Sequence, residues 1–340
     1  MNKRSSRHHT WFLLSLPFLI SSLLLSACGS TTSTGTSSTS TATNKGTVSV
    51  LYAGALVDIM EHQIKPAFDS STGYTFQGEG KGSAALAAEI KDHLRTPDVF
   101  ISASPAVDKS LMGSANGNYI SWYVNLGRTE LVIGYNPKSK FAADFQAAAS
   151  GSKPWYQVLE EPGMRLGRTD PELDPKGIST IYMFELAEKY YHQPGLAQKI
   201  LGANENPSQI FPEEELVARL TAGQLDAGMF FLNEAKAANI PYISLPPQVN
   251  LGDPSMAASY ATVSWTNPKT NAVSKGAPII YTITIPSTSK NRAGAIAFVT
   301  FLLTTPGQTI LQNAGILSTP FKVFGDASAV PPALQQYVQS

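Results

Sequence analysis

The sequence predicts an α/β fold built as two lobes. Short runs rich in β-branched and aromatic residues alternate with helical patterns along most of the chain, as in βαβ units of a mostly parallel sheet. About 290 residues follow a low-complexity N-terminal region, and the whole chain is 43% hydrophobic and 15% charged. This composition supplies a large core, and the length favours two lobes over one.

The first 27 residues have the organisation of an export signal. Basic residues at positions 3, 4 and 7 precede an apolar run, Trp11 to Leu25, that is too short and too interrupted for a membrane span. The run ends at Leu25-Ser26-Ala27-Cys28, which resembles a bacterial lipoprotein signal whose cysteine becomes lipidated. Cys28 is the only cysteine, so no disulfide can form within one chain.

Residues 28–46 are predicted to be a flexible tether. They are almost wholly Ser, Thr, Gly and Ala, a composition that cannot bury enough surface to order itself, and such a segment spans roughly 20–25 Å. Removal of residues 1–27 takes away three basic and no acidic residues, so the formal charge falls from 0 to −3. This mildly acidic surface disfavours nucleic acid as a partner.

The globular part is predicted to open with alternating strands and helices. A strand at Val48–Tyr52 leads into Gly54-Ala55 and a helical pattern that breaks at Pro66. Further strands are predicted at Tyr74–Phe76 and Asp98–Ser102.

A glycine-rich stretch between those strands predicts an anion site. Gly78-Glu79-Gly80-Lys81-Gly82-Ser83 precedes an Ala/Leu-rich helix; its glycines allow a sharp turn, and Ser83 stands at the N-cap position. The first amides of a helix lack internal partners and carry the positive end of its dipole. Since Gly82 follows Lys81, the stretch is not a nucleotide P-loop. The alternative is a glycine turn with an ordinary serine cap.

The second half of the globular part continues the alternation. Strands are predicted at Thr129–Tyr135, Arg165–Thr169, Leu225–Phe231, Tyr242–Leu245 and Pro278–Ile285. Helices are predicted at Ile178–Tyr191, Glu213–Thr221, Arg292–Leu303 and Gly307–Ala314. In such sheets ligands bind beyond the carboxyl ends of the strands, where the Gly54-Ala55 and Gly82-Ser83 turns lie.

Catalysis is not favoured by the residues present. The globular histidines, His62, His93 and His192, lie in charged helical patterns, away from any nucleophile motif, and no metal-ligand spacing appears. Acidic groups such as Glu160-Glu161 and Glu213–Glu215 are interpreted as solvated helix ends. The sequence therefore predicts a protein that is not an enzyme and has neither a cofactor nor a metal site.

Several blocks, in order and spacing, make residues 47–320 resemble an ABC-transporter substrate-binding protein, closest to the archaeal-type molybdate/tungstate-binding family. The blocks are Tyr52–Leu56, Gly82-Ser83, Asp98–Ser104, Trp122-Tyr123, Asp174–Gly177, Leu225-Asp226 and Gly276–Pro286.

That resemblance implies a type II periplasmic-binding-protein-like fold whose lobes close on a small oxyanion. Lobe I is then 47–131 plus 278–340, and lobe II is 132–277, with hinge crossings near Leu131–Gly134 and Ala277–Thr282. It implies a monomer, anchored to the outer face of the membrane by lipid only, that delivers molybdate or tungstate to a permease.

The resemblance also implies a ligand site. Gly54, Ala55, Gly82, Ser83, Asp174, Pro175 and Phe230 are its predicted residues. Ser83 matches a serine that binds the anion, and Asp174 a carboxylate that can coordinate its metal atom. Two family groups are absent, because a serine is replaced by Ala55 and a glutamate by Phe230. We therefore predict a four-coordinate anion, with Asp174 peripheral and Phe230 lining the cleft; in the alternative, Phe230 is core and Asn233 or Glu234 supplies an oxygen.

Three alternative functions remain open from the sequence. The same fold could bind sulfate or a small organic anion, or it could serve as a surface-anchored sensor or adhesin without transport. Genes for a permease and an ATPase nearby would favour transport. An enzyme would need a general base that the sequence does not offer.

Overall fold

A computed structural model of the protein describes residues 45–339. The predicted export signal, Cys28 and nearly all of the predicted tether lie outside the described residues. The strands are β1 (Thr47–Ala53), β2 (Thr75–Lys81), β3 (Val99–Ser102), β4 (Trp122–Arg128), β5 (Leu131–Tyr135), β6 (Leu166–Gly167), β7 (Ala227–Phe231), β8 (Tyr242–Ser244), β9 (Ser264–Thr266), β10 (Val273–Lys275), β11 (Ile280–Thr284) and β12 (Val323–Gly325).

Helices connect most of these strands. They are α1 (Val57–Ile59), α2 (Lys65–Thr72), α3 (Ser83–Lys91), α4 (Pro105–Lys109), α5 (Ala142–Ala149), α6 (Trp155–Leu159), α7 (Pro175–Tyr191), α8 (Leu196–Leu201), α9 (Glu213–Thr221), α10 (Leu232–Ala237), α11 (Pro247–Asn250), α12 (Ala257–Tyr260), α13 (Arg292–Leu303), α14 (Thr305–Asn313) and α15 (Pro332–Gln335). No single helix in residues 45–339 is long and apolar enough to cross a membrane; α13 and α14 meet that criterion only as a pair bent by 57°.

Two mixed sheets organise the described chain. The larger has the strand order β12-β4-β11-β3-β1-β2, and the smaller has the order β6-β7-β5-β8. The prediction of mostly parallel sheets is wrong, because five of the eight pairings within these two sheets are antiparallel. Strands β4, β11 and β12 cause the difference in the larger sheet, since β11 returns late in the chain and inserts between β3 and β4.

The larger sheet fixes the start of α3. Strand β1 is central and buried on both faces, with Val50 and Tyr52 in the main core. On the opposite face Leu51 packs with Leu86 and Ile90, which are four residues apart and therefore share one face of α3. This packing holds the first turn of α3 at the edge of the sheet where β1 and β2 end.

The glycine-rich stretch is strand, which corrects the predicted loop. β2 runs through Gly78 and Gly80 in parallel register with β1, and neither glycine has a positive φ. Both positions are crowded instead. A Cβ on Gly78 would lie 2.5 Å from the Phe76 ring, and one on Gly80 would lie 2.5 Å from Val57. These glycines allow close packing and make no sharp turn.

The predicted helix break at Pro66 is also wrong. Helical structure continues through α1, a π-helical turn at Met60–Ile64 and α2, where Pro66 occupies the first turn. A proline in the first turn of a helical segment costs little, and the wider π-turn before it accommodates the missing amide.

The chain passes between the two sheets at Thr129-Glu130 and again before Ile280. The predicted crossings were slightly displaced, because Leu131–Tyr135 is strand β5 of the smaller sheet and Ile280–Thr284 is strand β11 of the larger. The described residues form one compact unit, so the lobe boundaries stay a prediction.

Candidate functional site

The first turn of α3 presents unused amides. Leu86 donates to the Gly82 carbonyl and Ala85 donates to the Leu173 carbonyl at 3.1 Å. Within residues 45–339 the amides of Ser83 and Ala84 have no acceptor. They carry the positive end of the α3 dipole, so this turn attracts an anion.

Ser83 does not cap its helix. Gly82 takes the N-cap position, and Ser83 is the first helical residue. The Ser83 side chain is 0% exposed, and its Oγ accepts a hydrogen bond of 3.1 Å from the Ala103 amide. The oxygen is therefore held by a neighbouring segment, and the hydroxyl proton has no acceptor in the described chain.

The Gly54-Ala55 turn lies beside Asn233. It forms a short 3₁₀ turn, and the Ala55 carbonyl accepts a hydrogen bond of 2.8 Å from Asn233 Nδ2. The Tyr281 hydroxyl donates to Asn233 Oδ1 at 3.0 Å. Asn233 thus holds this turn through both of its side-chain polar atoms, and the alternative in which it supplies an oxygen stays a prediction.

Asp174 lies directly opposite the start of α3. It caps α7, accepting a hydrogen bond of 2.6 Å from the Lys176 amide, and Pro175 follows as the first residue of that helix. A Cβ on Gly82 would lie 2.5 Å from the Leu173 carbonyl oxygen and 3.2 Å from Asp174 Oδ2. Asp174 is buried, and its Oδ2 has no hydrogen-bond partner in the described chain.

Glu213 brings a second carboxyl group to the same place, which the sequence interpretation missed. Glu213 is only 6% exposed, and a Cβ on Gly54 would lie 2.4 Å from its Oε2. Its Oε2 has no hydrogen-bond partner among residues 45–339. Gly54 and Gly82, against which Glu213 and Asp174 lie, directly follow the paired ends of β1 and β2. The interpretation of Glu213 as a solvated helix end is therefore wrong.

Lys176 balances part of this negative charge. Its ammonium is fully buried, donates to both oxygens of Glu234 at 2.7 and 2.9 Å, and lies 3.2 Å from Glu213 Oε1. Burial lowers the pKa of Lys176, but the carboxylates of Glu234, Glu213 and Asp174 outweigh it and hold that pKa above its ordinary value. Glu234 also accepts the Phe231 amide, so its oxygens are occupied.

The remaining carboxyl charge is uncompensated. Burial raises the pKa of Glu213 well above its ordinary value, and the nearby Asp174 raises it further, while Lys176 opposes both. Burial also raises the pKa of Glu234. Three carboxyl groups surround one ammonium, which favours the retention of a proton by the cluster.

A cleft of about 760 Å³ runs beside the cluster. Ala84 and Ser104 line one side of it, while Pro175, Tyr182 and Trp265 line the other. Ser83, Asp174 and Glu213 are buried and are not among the residues that line this cleft.

Comparisons with known proteins identify the family to which this geometry belongs. Residues 48–317 match the bacterial extracellular solute-binding protein family. The chain belongs to that family. A putative ABC transporter molybdenum-binding protein of Haloferax volcanii is 34% identical to this solute-binding protein over 264 residues, which are 76% of this chain and 80% of the relative. A molybdate/tungstate-binding protein of Pyrococcus abyssi is 29% identical over 285 residues, 78% of this chain and 80% of the relative.

The fold agrees with a solved structure. The periplasmic molybdate-binding protein of Azotobacter vinelandii matches this solute-binding protein with a TM-score of 0.55 and 19% identity, over 80% of this chain and 99% of its own. This likeness confirms the predicted periplasmic-binding-protein-like fold class. Family membership confirms the predicted resemblance, and it also confirms that the chain belongs to binding proteins that work outside the cytoplasm and carry neither catalytic activity nor a cofactor.

Phe230 was predicted to line the cleft, but in this solute-binding protein it lies in the core. The ring is fully buried between Gly134 and Gly228 in the smaller sheet, in a core cluster with Leu216 and Ile240. Lys176 Nζ lies 5.8 Å from its centroid. Side chains alternate between the two faces of β7, and the Phe230 side chain lies on the face that packs against α9. The ring therefore packs next to the buried charged cluster.

Proposed function

We propose that this solute-binding protein captures molybdate or tungstate and delivers it to the permease of an ABC importer. The observation that carries the proposal is the first turn of α3, where two free amides and the proton of the Ser83 hydroxyl face the buried Asp174. Amides at a helix N-terminus and a hydroxyl donor match the oxygens of a small oxyanion. The names of the two relatives support a metal oxyanion over sulfate or an organic anion.

The anion site lies between two proposed lobes. Lobe I comprises 47–131 plus 278–340 and contains the larger sheet, and lobe II comprises 132–277 and contains the smaller. Three hydrogen bonds join them beside the site, from Ala85 to Leu173, from Asn233 to Ala55 and from Tyr281 to Asn233. In this proposal the lobes open to admit the anion and close around it.

A panel of oxyanions tests the proposal. Thermal unfolding of the mature protein is measured with molybdate, tungstate, sulfate and phosphate, and calorimetry gives the affinities. A ligand at one hundred times its Kd adds about 2.7 kcal/mol of stability, so molybdate or tungstate should raise the melting temperature most. If sulfate alone stabilised the protein, sulfate would be its ligand in place of molybdate or tungstate. If no oxyanion stabilised it, the proposal would be rejected.

Ser83→Ala is expected to weaken molybdate binding about ten- to a hundredfold, because a hydrogen bond to a charged group contributes about 1.5–3 kcal/mol. Calorimetry measures the loss. The matched control is Ser139→Ala, since Ser139 also accepts a backbone amide, that of Phe141, but lies away from the site. Equal affinities in the wild type and the Ser83 variant would remove Ser83 from the site.

We also propose that the protein is anchored by lipid on Cys28 and acts as a monomer at the outer face of the membrane. Cys28→Ser is expected to prevent lipidation, so that the signal segment is retained and the detergent-phase partitioning of the mature form is lost. Thr36→Ala, within the predicted tether, is the control and should leave maturation unchanged. A Cys28 variant that matures and partitions like the wild type contradicts lipid anchoring.

A further inference from the structure

Two buried carboxyl oxygens without a hydrogen-bond partner lie against neighbouring glycines. Asp174 Oδ2 and Glu213 Oε2 have no partner in residues 45–339. A Cβ on Gly82 would lie 3.2 Å from Asp174 Oδ2 and one on Gly54 would lie 2.4 Å from Glu213 Oε2, and these glycines directly follow the paired ends of β1 and β2. Ionised carboxylates only accept hydrogen bonds. A shared proton is therefore the arrangement that satisfies both oxygens.

The surrounding groups make Glu213 the member that keeps the proton. Asp174 already accepts the Lys176 amide through Oδ1. Glu213 has only Lys176 as a cationic neighbour in the described chain, at 3.2 Å, and that ammonium is closer to Glu234. The Tyr281 hydroxyl, the other titratable group facing the cluster, donates to Asn233.

The position of Glu213 at the start of α9 acts in the opposite direction. A helix N-terminus favours an ionised carboxylate by about 0.3–1 kcal/mol, which is less than one pKa unit. Full burial disfavours ionisation by up to about 3–5 pKa units. Burial therefore outweighs the dipole for this side chain.

We propose that Glu213 is a neutral carboxylic acid that donates its hydrogen bond to the bound oxyanion, so that anion binding requires this proton. The proposal rests on the proposed function. When the anion arrives, the carboxylic hydroxyl of Glu213 stops donating to Asp174 and donates to an anion oxygen instead. No bond to the metal is formed or broken. A buried neutral carboxylic acid is an effective donor to an oxyanion, whereas an ionised Glu213 would repel the dianion.

The required proton gives the binding a defined pH dependence. Below the pKa of Glu213 the acid is present and affinity is constant. Above it, the free protein must take up one proton to bind, so the Kd is expected to rise up to about tenfold per pH unit. Molybdate itself remains a dianion throughout the neutral and mildly alkaline range, so the change reports on the protein.

The experiment compares the molybdate Kd of wild type, Glu213→Gln and Glu214→Gln over that pH range by calorimetry. The amide that Glu213→Gln introduces still donates, so we expect E213Q to bind within about tenfold of the wild type at the lowest pH, with a flat profile. Glu214 is the matched control because it follows on the same helix but is exposed. E214Q should reproduce the wild-type profile. Melting temperatures without anion verify that each variant is folded.

Several outcomes overturn this inference. A wild-type affinity that is flat or rises with pH, or an E213Q profile equal to that of the wild type, excludes a required proton on Glu213. X-ray absorption showing carboxylate oxygens bonded to molybdenum excludes the donor role as well. Failure of the proposed function has a different signature, because in that case no oxyanion stabilises the wild type at any pH.

Discussion

Lys176→Met is expected to lower the free energy of unfolding by about 3–5 kcal/mol, because it removes the one ammonium that balances Glu213 and Glu234 within the described cluster. For a chain of this size the melting temperature should fall by roughly 10 °C. The loss should be larger at pH 8 than at pH 5, since the uncompensated carboxyl groups can be protonated at the lower pH. Thermal and urea unfolding at both pH values measure it.

Lys199→Met is the control for this substitution. Lys199 also pairs with a glutamate, Glu160, at 2.6 Å, but its side chain is 63% exposed, and exposed pairs contribute about 0–1 kcal/mol. The double variant Lys176→Met with Glu234→Gln should recover part of the loss, because it removes a buried charge together with its partner. A K176M variant as stable as K199M would show that Lys176 does not hold the cluster together.

Asp108→Asn is expected to stabilise the protein, and by more at pH 8 than at pH 5. Asp108 on α4 is fully buried, and Thr282 donates to its Oδ2 at 2.5 Å while its Oδ1 has no partner in the described residues. Burial raises the pKa of Asp108 to about 7, and the hydrogen bond from Thr282 only partly opposes this. Asparagine is uncharged at every pH and has the same shape.

The direction of this effect follows from proton linkage. Between its ordinary pKa and about pH 7 the folded protein holds the Asp108 proton and the unfolded chain releases it, so wild-type stability falls as the pH rises. About three pKa units set an upper limit of about 4 kcal/mol, and we expect a gain of about 2–4 kcal/mol at pH 8. The exposed Asp92→Asn controls for the loss of a carboxyl group. Parallel stability curves for D108N and the wild type would contradict the prediction.

The sequence predicted one part of the site that is local in the chain, because Gly82-Ser83 before an apolar helix indicated free amides. The helix predicted from Ile178 begins three residues earlier, at Pro175, with Asp174 as its cap. The sequence could not place Lys176 or Arg168 as balancing charges, because their partners are distant in sequence. Arg168 donates to the carbonyls of Ala203 and Asn204 and takes no part in the cluster.

Glu213 could have been found from periodicity. It lies three and seven residues before Leu216 and Leu220, which are buried on one face of α9, whereas Glu214 lies off that face. The run of three acidic residues concealed this pattern, since such runs at helix starts are usually solvated. The antiparallel strands were missed for a different reason, because β11 and β12 pair with β4 across more than a hundred residues and strand direction is a long-range property.

The hydrogen bonds of Asn233 to Ala55 and Tyr281 do not involve the anion. In the proposed two-lobe mechanism they lower the free energy of the closed conformer whether or not a ligand is bound, so they help to set the fraction of protein that is closed before ligand arrives. In the two-lobe mechanism the observed Kd equals the intrinsic Kd divided by that fraction. Changes at Asn233 therefore scale the affinity for every anion by one common factor, and the preference for one anion over another stays with the residues that contact it.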